Sequence, residues 1–200
     1  MKETKKALAG ERNESLCWDA LATEMVADCE VFVVHKTSAQ SKCKLKKKSH
    51  FHTIKCNNWV NIIGITDDRK VVLAEQFRHG IRDLTLEIPG GCIDDTDASP
   101  AEAARRELLE ETGYSADAWS LLGEIHPNPA IQDNLCFTYL AEGIKKIEEP
   151  RFDSTGTERI ASILVPLSEI DNLIRQKSIT HSLVVTAFHF LLLERPDLFA

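Results

Sequence analysis

No C-x-x-C pair occurs among the six cysteines, Cys17, Cys29, Cys43, Cys56, Cys92 and Cys136. Their scatter argues against a zinc ribbon or a redox dithiol, so free thiols are expected. No run of about 18 apolar residues is present, and the opening MKETKKALAGERNESLCW has no apolar h-region, so neither a spanning helix nor an export signal is expected. A cytoplasmic chain without a membrane partner follows as the expectation. An excess of positive charge is missing too: 24 Lys and Arg stand against 31 Asp and Glu, a net charge of −7. That field recruits no nucleic acid, although it suits a cation-requiring site. Internal repeats and low-complexity tracts are also absent.

What is present is a chain of 200 residues, 43% hydrophobic, enough for one sizeable core with a small N-terminal extension. Residues 1–15 are charged and aperiodic and are expected to be flexible. Residues 16–56 hold two strand candidates, EVFVVHK from Glu30 and CKLKKKSHFHTIK from Cys43, which suggest a hairpin. Residues 57–200 form the main domain. There WVNIIGIT and KVVLAEQF flank the turn DDR, and SLLGEIH, NLCFTYLAE and RIASILVPL add three further strand candidates. LSEIDNLIRQ, with Ser168 as its expected cap, and THSLVVTAFHFLLLER close the chain as helices.

The densest chemistry lies in GGCIDDTDASPAEAARRELLEETGY, Gly90 to Tyr114. Ser99-Pro100-Ala101-Glu102 is a capping box with proline at the first helical position, and Gly113 is a C′ glycine. Between these ends Glu107, Glu110 and Glu111 recur at i, i+3 and i+4, so three carboxylates share one helical face. Each like-charged pair costs roughly 0.2–0.5 kcal/mol, which Arg106 offsets only in part and a divalent cation would reverse. An isolated E-x-x-E-E helix reads as a solvated acidic surface. Here it follows LEIPGG and an acidic loop, and RELLEETGY meets every position in the second half of the pattern G-x5-E-x7-R-E-U-x-E-E-x-G-U, with Tyr114 as the last apolar residue. The first half departs from it: Asp97 stands where the pattern has glutamate, and one extra residue precedes Arg106.

This loop and helix resemble the Nudix signature, and the resemblance covers about residues 30–195. It implies an α/β/α sandwich around a mixed β-sheet, in α+β or α/β terms, and a hydrolase acting on a nucleoside diphosphate linked to another moiety. It further implies Glu107 and Glu111 as metal ligands, Glu110 as an assisting ligand and candidate catalytic group, the Gly90 carbonyl completing the shell, and Mg²⁺, with Mn²⁺ as a substitute, as cofactor. VVLAEQFR and STGTERIASILVPLSEI are similar to segments of ADP-ribose pyrophosphatases. By that analogy Arg78 approaches the substrate diphosphate, Glu158 is a general base, and the chain is a homodimer acting on a small nucleotide-sugar substrate. Pro129, after the box, fits that group, whereas the surrounding HPNPAIQDN lacks its usual glycine. Rival expectations are a Nudix hydrolase for a dinucleotide or nucleoside triphosphate, and a non-catalytic nucleotide-sugar sensor. A sensor has no need to keep three mutually repelling carboxylates. Bland roles are expected elsewhere: the Lys42–Lys48 run as protection of an edge strand, Trp59 as core or interface, His79 and His126 as structural.

Overall fold

The structure is a computed structural model that describes residues 13–152 and 159–199. Its contacts divide it into two compact units, one formed by residues up to Cys56 with Asn128–Asp133, the other by Asn57–Pro127 with Asn134 onward.

The first unit is a three-stranded antiparallel sheet in the order β1 (Trp18–Asp28), β2 (Val33–Ser41), β3 (Lys48–Lys55). The expected hairpin is β2–β3, but its ends differ from the sequence reading. Glu30 adopts φ 65° and turns the chain before β2, and Lys42–Lys47 form the turn into β3, with Lys46 at φ 46°. The lysine run is therefore mostly a loop, and Lys42 pairs with Asp19 across 3.3 Å. Two register shifts interrupt β1, between Ala20 and Ala22 and between Met25 and Ala27. Such irregularities break strict alternation, which is why WDALATEMVAD carries no clear strand period. None of the six cysteines is in a disulfide.

The second unit is built on a mixed sheet whose main path runs from the C-terminal strand through the two hairpin strands to the middle of the chain. In chain order its strands are β4 (Trp59–Ile65), β5 (Lys70–Arg78), β6 (Asp83–Glu87), β7 (Gly90–Cys92), β9 (Ala118–Ile125), β10 (Cys136–Glu142) and β12 (Ile160–Pro166). A separate two-stranded ribbon pairs β8 (Tyr114–Ser115) with β11 (Lys145–Lys146). The path is β12-β5-β4-β10-β9, with β6 on β5 and β7 on β4. Among the described strands of this sheet, the parallel pair is β4 and β10, from Trp59 beside Cys136 to Ile65 beside Glu142.

Alternation along these strands sends side chains to opposite faces. Ile63, Ile65, Val71, Leu73 and Leu140 pack on one face against Ile170 of helix α2 (Ile170–Arg175), Ile179, and Val184, Ala187, Phe188 and Leu191 of helix α3 (Ser182–Glu194), if the box helix, Pro100–Thr112, is α1. Val60, Ile62, Val72, Tyr139 and Ala141 pack on the other face against Ala103, Ala104 and Leu108 of α1. The unit is thus an α/β/α sandwich around a mixed sheet. Strands covered on both sides are apolar at nearly every position, as WVNIIGI is.

The Ser99 cap forms, its side chain accepting from Glu102 N–H at 3.3 Å, but the Glu102 carboxylate takes Arg105 at 3.0 Å, so the reciprocal bond of the box is replaced by a surface pair. Ser168 does not cap α2. It sits inside a 3₁₀ turn, Leu167–Glu169, that follows Pro166, and Glu169 occupies the cap position without a side-chain bond. Gly113 ends α1 at φ 74°, donating to Leu109 O at 2.8 Å. Its own carbonyl accepts from Ile147 N–H at 2.9 Å, and Arg151 N–H donates to Glu110 O at 2.7 Å, so the following segment straps the helix end. A Cβ on Gly113 would run into the Glu148 carbonyl oxygen. Gly113→Ala is expected to lose roughly 2–4 kcal/mol, from left-handed strain and overpacking together. Urea denaturation checks this against Gly80→Ala, where a Cβ meets nothing within 4 Å and stability should hold.

Candidate active site

The capped start of α1 and the β4–β7 pairing bring a glycine turn against an acidic helix. β7 pairs Gly90 with Asn61 and Gly91 with Val60. Gly90 N–H donates to Glu111 Oε2 at 3.1 Å, and Glu111 is 3% exposed. The Glu107 carboxylate lies so close to Gly91 that a Cβ there would sit 2.6 Å from its carboxyl carbon. Only glycine permits that approach. Asn58 braces the turn: its carbonyl accepts from Ile93 N–H at 2.8 Å, and its side chain accepts from Leu135 N–H at 2.8 Å.

Arg106 organises the acidic side. Nε and Nη2 donate to the two oxygens of Asp97 at 3.1 and 2.8 Å, Nη1 donates to Glu107 at 2.9 Å and Glu110 at 3.1 Å, and Nη2 also donates to Cys92 O at 3.0 Å. Hydrogen bonding to Asp97 is the largest influence on this guanidinium and raises its pKa; the same bond holds the Asp97 carboxyl below its ordinary range. Asp97 also accepts from Asp94 N–H at 2.9 Å and donates its own N–H to Asp94 O at 3.0 Å. This explains the departure noted in the sequence. Aspartate is one methylene shorter than glutamate, and the extra loop residue accompanies a closed acidic turn that delivers the shorter carboxylate to Arg106.

Gly90, Glu107, Glu110 and Glu111 are therefore brought to one region, with Glu110 facing solvent at 46% side-chain exposure and Glu107 at 13%. Among the described residues no three His, Cys, Asp or Glu side chains close on a single point. What the turn offers is two sheltered carboxylates beside glycine backbone, with the third carboxylate turned to Arg106. All these donors are hard oxygens, the set that Mg²⁺ takes together with water and substrate phosphate. Glu158 lies outside the described residues. His126 Nδ1 lies 3.1 Å from Asn134 O, and His79 packs edge-on against Phe77 at 5.2 Å.

Arg78 is tied to a residue the sequence reading passed over. Its Nε and Nη2 donate to Oε1 and Oε2 of Glu87, both at 2.8 Å, and Thr85 Oγ1 donates to Oε1 at 2.6 Å. His181 Nδ1 lies 3.2 Å from Oε2. The available signal was a carboxylate between Leu86 and Ile88 in a strand too apolar to spare one without a partner.

The comparisons with known proteins agree with this geometry. The model of the NUDIX domain matches residues 58–186. The chain belongs to the Nudix family. The Nudix chain is 32% identical over 135 residues to a methanol dehydrogenase activator of Bacillus methanolicus, covering 68% of this chain and 72% of that one. It is 27% identical over 148 residues to an ADP-ribose pyrophosphatase of Bacillus subtilis, covering 74% and 79%. A 91-residue stretch, 46% of this chain and 44% of the relative, is 31% identical to an ADP-ribose pyrophosphatase of Mycobacterium tuberculosis. The crystal structure of an ADP compounds hydrolase matches in fold with a TM-score of 0.76 at 22% identity, over 90% of this chain and 95% of that one. The protein is a Nudix pyrophosphatase-type hydrolase, similar to ADP-ribose pyrophosphatases. No helix among the described residues is long and apolar enough to cross a membrane.

Burial alone would raise the Glu87 carboxyl, but bonds from Arg78 and Thr85, with the His181 imidazole close by, hold it far below the ordinary carboxylate range. A depressed folded-state value means that its contribution to stability is complete above the unfolded glutamate value of about 4.3 and is lost as pH falls through the folded one. Denaturation free energy measured from pH 7 to pH 3 should therefore fall below about pH 4.5. In Glu87→Gln that acid slope should be shallower; an unchanged slope would show that other carboxylates set it.

Proposed function

We propose that this chain hydrolyses the diphosphate of ADP-ribose or a related nucleoside diphosphate sugar, using Mg²⁺ with Mn²⁺ as a substitute, and releases a nucleoside monophosphate and a sugar phosphate. The observation that carries this reading is the Gly90–Gly91 turn pressed against the sheltered carboxylates of Glu107 and Glu111. The names of its ADP-ribose pyrophosphatase relatives supply the substrate class. Glu107, Glu111 and the Gly90 carbonyl would hold the cation, with Glu110 assisting. When bound, the cation neutralises diphosphate charge and makes a nearby water more acidic.

The chain's own residues do the rest. Arg106 keeps three carboxylates from dispersing despite their mutual repulsion. Arg78 contacts the substrate diphosphate. A water oxygen attacks one phosphorus, the bond from that phosphorus to the bridging oxygen breaks, and the water proton passes to a carboxylate. We assign that carboxylate to Glu158, with Glu110, the most exposed of the helix set, as the group to compare.

Phosphate release with added phosphatase, across nucleoside diphosphate sugars, dinucleotides and nucleoside triphosphates, tests the reading. ADP-ribose should rank among the best substrates, and preference for triphosphates would reverse the substrate assignment. Glu107→Gln and Glu111→Gln should each reduce turnover about 100-fold or more and weaken Mn²⁺ binding in titration calorimetry. Glu158→Gln should match that loss of turnover while Mn²⁺ still binds; a normal rate would move the base to Glu110.

We also infer a homodimer formed through the three-stranded sheet. β1 leaves Leu21, Met25 and Val26 exposed by 52, 63 and 55%, an apolar strand without cover in its own unit. Sedimentation equilibrium should give twice the chain mass, and Met25→Asp with Val26→Asp should give the single mass. A monomeric parent chain would end this proposal.

A further inference from the structure

We infer that Glu87 is a positioning residue for anion recognition, fixing the Arg78 guanidinium before substrate arrives; this rests on the proposed contact between Arg78 and the substrate diphosphate. The two ends of the pair differ in environment. The Glu87 side chain is 3% exposed and the Arg78 side chain 46%, so the carboxylate is an anchor inside the fold and the guanidinium projects outward from it. Two parallel bonds of 2.8 Å occupy the Nε–Nη2 edge and fix the guanidinium plane.

The anchor is itself held by a neighbour on its own strand and approached by a residue of a second element. Thr85, two residues before it on the same strand, holds Oε1 at 2.6 Å. His181, at the N-cap position of α3, brings a buried Nδ1 to 3.2 Å from Oε2, a close polar contact without hydrogen-bond alignment. The carboxylate therefore has little freedom to rotate. An arginine on a strand end otherwise samples many rotamers, and ordering it on binding opposes affinity. Holding it in advance removes that cost. The same carboxylate also weakens the field of the guanidinium toward an anion. Orientation and neutralisation thus act in opposite directions on KM, and a neutral isostere separates them.

The test uses the full chain with ADP-ribose in steady-state kinetics, comparing Arg78→Ala, Glu87→Gln, their combination, and Thr85→Val. Arg78→Ala and Glu87→Gln should each raise KM about 10-fold with kcat changed less than about 3-fold, and the double variant should be no worse than Arg78→Ala. Thr85→Val, which removes one bond without removing charge, should raise KM about 3-fold and serves if Glu87→Gln does not fold. A raised KM in Arg78→Ala beside an unchanged or lowered KM in Glu87→Gln overturns the inference and leaves the substrate reading standing. An effect of Glu87→Gln that persists in the Arg78→Ala background assigns it to general stability and also overturns it. An unchanged KM in Arg78→Ala, or no turnover by the parent chain, removes the functional reading and this inference with it.

Discussion

Five hydrogen bonds radiate from the guanidinium of Arg106, one for each of its N–H groups. Three carboxylates and one carbonyl of the β7 strand meet there, from a loop, a helix and a sheet edge. No other residue type could do this: lysine has three donors on a single point, and its contacts would not keep the loop, the helix face and the strand in one register. The carboxylates of α1 are tolerated because this cation lies among them, partly buried at 26% exposure, where screening is weaker than in open solvent. The same arrangement leaves the assembly short of full neutrality. Asp97, Glu107, Glu110 and Glu111 outnumber one arginine, and the residual negative charge is what the proposed cation would neutralise.

A second ion pair, Arg78–Glu87, follows another logic. In the Arg106 cluster the arginine is the hub and carboxylates are distributed round it. In the second, a carboxylate is the hub, buried in a strand, with a guanidinium, a hydroxyl and an imidazole converging on it. The first collects negative charge toward the glycine turn, and the second presents positive charge outward. The proposed binding of a diphosphate between a cation and Arg78 would need both polarities, and the strand Asp83–Glu87 running into Gly90 connects them along the chain within a few residues.

Most of the sandwich was legible because its strands have both faces covered: WVNIIGI and KVVL could hardly be anything but buried strands. The α1 boundaries were legible because Ser99, Pro100 and Gly113 each act locally, through a cap bond, a fixed φ and a left-handed turn. What escaped was whatever depends on a distant partner. The broken period of β1 conceals a strand whose pairing to β2 is its main evidence. Ser168 looked like a cap because the composition is right, yet Pro166 starts the turn early and places the serine inside it. The role of Asp97 could not be read because loop length and side-chain length compensate only in three dimensions. Glu87 is invisible as an anchor until Arg78, Thr85 and His181, 9, 2 and 94 positions away, are seen round it.

The parallel pairing of β4 with β10 has a kinetic consequence. Antiparallel neighbours close through short turns, so the β4–β5 hairpin and the capped α1 can form early from local contacts. β4 nevertheless lacks its companion on the other edge until Cys136–Glu142 arrives, after the chain has traversed the glycine turn, α1 and β9. Loop closure over that distance is slow compared with helix or hairpin formation. The layer on which the glycine turn rests is thus among the last to be completed, and a chain emerging from the ribosome exposes its acidic helix to the surrounding ions well before it has a rigid floor.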